Sequence, residues 1–251
     1  MRSTKITFEG AQGDNLVGYL DLPDDKTQTL ALFAHCFTCS KNLKPVKNIS
    51  RTLVDKGIGV FRFDFTGLGE SEGDFADTNF SSNVEDLVAA AAHLGKEYQW
   101  PEILIGHSLG GAAVLQAASE VSQSKAVATI GAPSNPVHVK KNFSANLEEI
   151  ETTGEATVTL AGRDFKIKKQ FLDDLETANM DRTISNLDRA LMIFHSPVDQ
   201  TVGISNASHI YKLAKHPKSF VSLDDADHLL MKEEDSIYVA EVLASWARRY
   251  F

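Results

Sequence analysis

An α/β architecture, a mostly parallel sheet of about eight strands with helices on both faces, is predicted by three features of this chain. Short continuous apolar runs, such as Leu30–Ala34, Ile58–Phe63 and Ala126–Ile130, alternate with segments of helical periodicity. Two strand signals at the start are joined by a turn rich in Gly, Asp and Asn. A serine flanked by small residues links an apolar run to an Ala-rich helical run.

The elements follow in order. Ile6–Glu9 and Leu16–Leu22 form the opening antiparallel pair, turning through Gly10, Gly13, Asp14 and Asn15. Leu30–Ala34 is a buried strand. In Leu43–Lys56, Val46, Ile49, Leu53 and Val54 share one helical face, and Gly57 ends the helix. Ile58–Phe63 is again a strand. Asn83–Leu94 is a helix with Val84, Leu87, Val88 and Ala91 inward. Glu102–Ile105 and Ala126–Ile130 are strands, as are Ala190–Phe194 and Ser219–Leu223; the helices Gly203–Ala214 and Glu233–Tyr250 follow the last two. No linker or internal repeat interrupts this rhythm, so residues 1–251 read as a single domain. The segment 133–187 departs from the rhythm between two core strands. It holds a hairpin over Ala156–Phe165 and a helix over Ile167–Leu175, and is expected to be a small cap or lid insertion over the strand ends.

Composition narrows the function classes. The 251 residues are 43% hydrophobic and carry a formal net charge of −9, which suits a full core and argues against a nucleic-acid partner. No apolar run is long enough to span a membrane, and residues Met1–Phe8 lack the apolar core of a secretory signal, so a cytoplasmic location is expected. The oligomeric state is left open. The two cysteines, Cys36 and Cys39, form a C-x-x-C that invites a redox or metal reading, but a structural zinc site needs four ligands and a second pair is missing. The glycine-punctuated segment Phe63–Gly73 could suggest phosphate binding, yet it lacks the lysine of a P-loop; it reads as a structural loop with Asp64 anchoring backbone.

Chemistry in a parallel sheet sits beyond the carboxyl ends of the strands. Gly106-His107-Ser108-Leu109-Gly110 occupies such an end. Small residues two before and two after the serine let strand and helix approach, leaving the Ser108 hydroxyl exposed at the apex of the turn. Serine needs a base to take its proton, and the base needs an orienter. His228 follows the final strand and Asp199 the one before it, so Ser108, Asp199 and His228 are the candidate catalytic residues, in the chain order such sheets use. Asp199 could instead cap the helix near Val202, and Asp224 or Asp225 could replace it as the acid. His107 should point away from the nucleophile, His35 and His195 should bond the loops at their strand ends, and His93, His138, His209 and His216 look peripheral. The oxyanion hole is assigned to the backbone N–H of Leu109, directly after the serine, and of Phe37 in the loop His35–Thr38.

Together these residues resemble the α/β-hydrolase fold family over essentially the whole chain. The segments that carry the likeness are His35-Cys36-Phe37, Asp64–Ser71, Gly106–Gly110, His195–Asp199 and Asp227-His228. His35–Lys41 and Gly162–Phe165 are further similar to bacterial esterase-type hydrolases, some of them fused to an OsmC-like domain. Many relatives have Gly where this chain has Cys36, and Arg where it has Thr66; neither change removes a backbone donor. No OsmC-like segment lies in these residues, so no peroxidase activity is carried over. The resemblance implies a serine carboxylesterase with no metal and no cofactor, acting on a small-molecule ester. The shortness of the insertion points to short acyl chains. Amide or thioester hydrolysis and acyl transfer by the same residues are the enzymatic alternatives, and a non-catalytic binder on the same scaffold is the other class. A histidine base acts only when neutral, so activity is expected to fall on acidification through the ordinary histidine range.

Overall fold

The computed structural model describes residues 1–160 and 162–251. Eight strands form one sheet: β1 (Arg2–Glu9), β2 (Asn15–Leu22), β3 (Thr29–Ala34), β4 (Ile58–Phe63), β5 (Ile103–His107), β6 (Ala126–Ile130), β9 (Ala190–His195) and β10 (Lys218–Ser222). Their order is β1-β2-β4-β3-β5-β6-β9-β10. β1 runs antiparallel to β2 and β2 antiparallel to β4, while every later pairing is parallel. The sequence reading of the fold class holds.

Alternation along the strands splits the core in two. Leu30, Leu32 and Ala34 of β3 face the side covered by α2 (Phe80–Glu97) and α3 (Leu109–Ala117). Ala31 and Phe33 face α1 (Lys44–Asp55) and α8 (Glu233–Ala247). The expected inward residues Val46, Ile49, Leu53 and Val54 are all buried in the second layer. α7 (Ser205–Leu213) lies on the first side through Ala207 and Ile210.

Several boundaries differ, each for a local reason. α2 begins at Phe80 rather than Asn83, because Asn79 and Ser82 close a reciprocal cap: Ser82 N–H donates to the Asn79 side chain at 2.8 Å and Asn79 N–H to Ser82 Oγ at 2.9 Å. The Ala-rich helical run becomes α3, which begins at Leu109, directly after the serine. α8 stops at Ala247. In the insertion, Ile167 and Lys168 belong to a strand: β7 (Glu155–Leu160) pairs with β8 (Arg163–Lys168) through Ala156↔Ile167 and Glu155↔Lys168, and α5 (Lys169–Thr177) starts only after them. The insertion also contains a 3₁₀ stretch, Pro136–Asn146, and the short helices α4 (Leu147–Thr153) and α6 (Met180–Ser185), which were not expected. Among the described residues, no helix is long and apolar enough to cross a membrane.

The loops at the carboxyl edge are fastened by buried charge. The Lys41 ammonium has no exposed side-chain surface and is held by Asp64 Oδ2 and, at 2.7 Å, by Glu70 Oε2. Asp64 also accepts the N–H groups of Lys41 and Glu70, at 2.7 and 3.0 Å. Asp64 thus anchors backbone as expected, but it does so for the β3–α1 loop as well as its own. The Lys41 hydrogen bond, then that of Lys5, holds the Glu70 carboxyl at about 2. Breaking a buried pair strands its partner, so Lys41→Met is expected to lower unfolding free energy by roughly 3 kcal/mol, read as a lower urea midpoint at unchanged slope.

Candidate active site

The strand-to-helix turn at Ser108 depends on what is missing from its neighbours. A Cβ on Gly106 would lie 2.2 Å from the Gly110 carbonyl oxygen, and one on Gly110 would lie 2.5 Å from the carbonyl oxygens of Ala34 and His35. Only hydrogen fits at both positions. Ser108 itself takes φ 55° and ψ −125°, an unfavourable conformation for a residue with a side chain, and its N–H is pinned to the Ile130 carbonyl at 2.8 Å. The hydroxyl is thereby presented at the sheet edge, beside the positive end of α3.

The other two predicted side chains arrive from separate loops. His228 lies beyond β10, with Nε2 3.0 Å from Ser108 Oγ and Nδ1 2.7 Å from Asp199 Oδ2. A carboxylate accepts only, so Nδ1 carries the proton and Nε2 is left to accept from the serine hydroxyl. Asp199, beyond β9, uses its second oxygen to accept the N–H groups of Thr201 and Val202, at 2.8 and 2.9 Å. It does not cap a helix at Val202, because α7 begins only at Ser205 and has no side-chain cap; Asp199 braces the preceding turn and meets His228. Burial pushes its pKa up, but the bonds from His228, Val202 and Thr201 outweigh this and the net shift is downward. Asp225 is instead paired with Lys232 at 3.0 Å, and the ring nitrogens of His228 bond Asp199 and Ser108 rather than Asp224.

Three further histidines, His35, His107 and His195, brace the loops around this chain. His35 Nδ1 donates to the Cys36 carbonyl at 2.9 Å and His195 Nε2 to the Val202 carbonyl at 2.7 Å, as their strand-end positions suggested. Burial lowers both pKa values. His107 was undervalued. Its Nε2 donates to the main-chain carbonyl of His228 at 2.7 Å, so the residue before the serine fixes the backbone that carries the imidazole. Burial, then the neighbouring His228, lowers His107 to about 4.

Phe37 and Leu109, the two residues whose N–H groups the sequence assigned to an oxyanion, both line one cleft beside the turn. Leu109 is the first residue of α3, ahead of the intrahelical ladder, and the Phe37 N–H has no hydrogen-bond partner among the described residues. The insertion sits against this loop. Phe171 packs against the Phe37 ring with centroids 5.5 Å apart and planes tilted by 34°, and the Arg163 guanidinium donates to the Thr38 carbonyl. Cys36 and Cys39, considered above for redox or metal roles, are joined as a disulfide. Beside Leu109 lies a cleft of about 10 Å³, walled by Phe37, Phe65, Leu68, Phe75 and Phe80, with room for about one water molecule. A larger groove of about 840 Å³ runs between α2, α3 and α6, past Gln116, Arg182 and Thr183, and includes none of Ser108, Asp199 or His228.

Comparison with known proteins agrees with this fold. The family model for serine aminopeptidase, S33, matches residues 41–150. The solved esterase domain from a Rhodothermus marinus protein is 51% identical, with 100% of this chain and 99% of that chain covered at a TM-score of 0.80. Est1E from Butyrivibrio proteoclasticus, solved with ferulic acid, shares the fold at 21% identity and a TM-score of 0.78, covering 98% and 99% of the two chains. The mitochondrial palmitoyl-protein thioesterase ABHD10 of Mus musculus is 24% identical over 79% of this chain and 68% of its own length. The chain belongs to the esterase-like α/β-hydrolase family, as its motifs implied, and is a hydrolase.

A pH dependence of stability follows from His107. Below pH 6.5 the unfolded chain binds a proton that the folded chain refuses until about pH 4. Stability is therefore expected to fall on acidification across that window, by up to ~3 kcal/mol from this residue. His107→Gln keeps an amide donor without titrating. Denaturant unfolding of wild type and variant at several pH values should show a shallower acid loss in the variant.

Proposed function

We propose that the protein is a serine carboxylesterase acting on small-molecule esters with short acyl chains. The observation that carries this reading is the continuous hydrogen-bonded chain from Ser108 through His228 to Asp199. Ser108 Oγ attacks the ester carbonyl as its proton passes to His228 Nε2. Asp199 holds the imidazole in the required tautomer and stabilises its charged form. The N–H groups of Leu109 and Phe37 receive the developing oxyanion, each such donor being worth about 10²–10³ in rate. Tetrahedral collapse expels the alcohol, which takes the proton from His228. Water, deprotonated by the same imidazole, then attacks the acyl-enzyme and releases Ser108.

Short acyl chains are favoured because the cleft beside Leu109 is so narrow and so aromatic. A longer chain must displace Phe75 or Phe80, which are packed in the core. We assign the segment 133–187 the role of a small cap: its Phe165 and Phe171 close over the walls of this cleft at Phe75 and Phe37, 4.9 and 5.5 Å away. A thioester is a second acyl donor for the same residues, and the resemblance to the mouse thioesterase supports it.

The test is hydrolysis of p-nitrophenyl esters from acetate to decanoate by wild type and Ser108→Ala. Activity is expected to be highest on the shortest chains and to fall by at least about 10⁴-fold in the variant. A rate that keeps rising through the decanoate contradicts the small pocket, and unchanged activity in the variant contradicts the nucleophile. A butyryl thioester compared with the matching oxygen ester separates the two acyl donors.

A further inference from the structure

The Cys36–Cys39 disulfide closes a ring of four residues whose interior holds Phe37 and Thr38. One peptide plane of that ring joins the Cys36 carbonyl to the Phe37 N–H. The carbonyl end is occupied: it accepts the Cys39 N–H at 3.1 Å and His35 Nδ1–H at 2.9 Å. Because the peptide is planar and trans, the N–H of Phe37 points the opposite way, out of the ring and free of any partner among the described residues. The disulfide keeps Cys39 within reach of the Cys36 oxygen, with Thr38 between them at φ 60°. The other anchors of this loop bite elsewhere, Arg163 on the Thr38 carbonyl and Asp64 on the Lys41 N–H. Neither fixes the plane between residues 36 and 37.

The two cysteines differ in access. Cys36 is 4% exposed, whereas Cys39 is partly open to solvent. Cys39 is therefore the more accessible of the two cysteines, and exchange is taken to enter there.

We propose that Cys36–Cys39 is a thiol–disulfide exchange site at which a dithiol sets the direction of the Phe37 N–H and thereby the rate of hydrolysis. The proposal rests on the esterase reading above, in which that N–H is an oxyanion donor. A dithiol attacks as thiolate at Cys39 Sγ. The bond between the cysteines breaks, and Cys36 leaves as thiolate and is protonated. The second thiol of the reductant attacks the mixed disulfide and releases Cys39. Two electrons pass from the dithiol to the protein: the reductant ends as a disulfide, and Cys36 and Cys39 end as thiols. Oxidised glutathione reverses the exchange and leaves as two glutathione thiols. In reducing compartments bonds of this kind are commonly transient and sensing rather than structural. Reduction frees Cys39, its N–H leaves the Cys36 oxygen, and the Phe37 N–H loses its fixed aim. The anchors at Thr38 and Lys41 keep the loop folded, so the loss is smaller than that of a whole donor.

The folded wild-type protein is treated with dithiothreitol and three quantities are read on the same samples: iodoacetamide labelling by mass, kcat and KM on p-nitrophenyl acetate, and amide hydrogen exchange at Phe37 and Thr38. The expected result is labelling of both cysteines only after reduction and faster amide exchange. A fall in kcat of at least about tenfold, with little change in KM, should accompany it and reverse with oxidised glutathione; complete loss of a donor would set the ceiling at about 10²–10³. Cys39→Ser should show the reduced rate and no response to dithiothreitol. Two free thiols with unchanged kcat overturn the proposal while leaving the esterase reading intact, and so does a bond that resists reduction in the folded protein. If neither state turns over any ester, the esterase reading fails on its own. The exchange data then decide the structural part of the proposal, and equal exchange in both states overturns it.

Discussion

The close approach of α3 to β3 and β5 is the constraint on which the rest of this site depends. Hydrogen is the only substituent that fits between the helix and the carbonyls of Ala34 and His35, and the same holds where Gly106 faces Gly110. With the helix this near, the chain must turn from strand to helix in one residue, and Ser108 takes the left-handed backbone that makes the turn possible. The turn lifts the hydroxyl above the sheet edge and places the free N–H groups of the first helical turn beside it. Loops from β3, β9 and β10 then need only reach a point that the sheet has already defined.

What surrounds that point is cross-linked by buried charge and hydrogen bonds. Lys41, Asp64 and Glu70 tie the β3–α1 loop to the loop after β4, and Arg62 reaches the Lys41 carbonyl at 2.9 Å from below. His35, His107 and His195 are kept neutral by burial, so none of them adds a positive charge that would compete with His228 for Asp199. Each spends its one donor on a main-chain carbonyl that shapes a loop of the site. The neutral imidazoles thus act as fixed hydrogen-bond struts, and His107 sets the backbone of the very residue assigned as base.

Much of this was legible in the chain. The alternation of apolar runs with helical periods revealed every strand of the main sheet, because a strand buried on both faces has little choice but continuous apolar residues. Ser108, Asp199 and His228 were found because each follows such a run, and the structure brings all three together. The short helices α4 and α6 were missed since one or two turns carry too little periodicity to register. The start of α2 was misplaced because its signal is the Asn79–Ser82 cap and not an apolar residue. The Cys36–Cys39 spacing was noticed for redox or metal roles and not as a loop disulfide, while Lys41 and Arg163 were invisible as site elements for a different reason. Each acts through a partner distant in sequence or through backbone, and a lone lysine or arginine in a polar stretch reads as a solvated surface. His107 shows the limit of reasoning from the turn alone: its side chain does turn toward another loop, and that loop proves to be the one bearing the imidazole.

The central claim is that Ser108 is the nucleophile that carries the acyl group. The most direct measurement is mass analysis of the protein quenched in acid within the pre-steady-state phase of p-nitrophenyl acetate hydrolysis. A gain of one acetyl group, confined to the peptide that contains Ser108 and appearing as fast as the first equivalent of nitrophenol, is the result expected. Release of nitrophenol with no acetyl group on that peptide, or with the label on another residue, would contradict it.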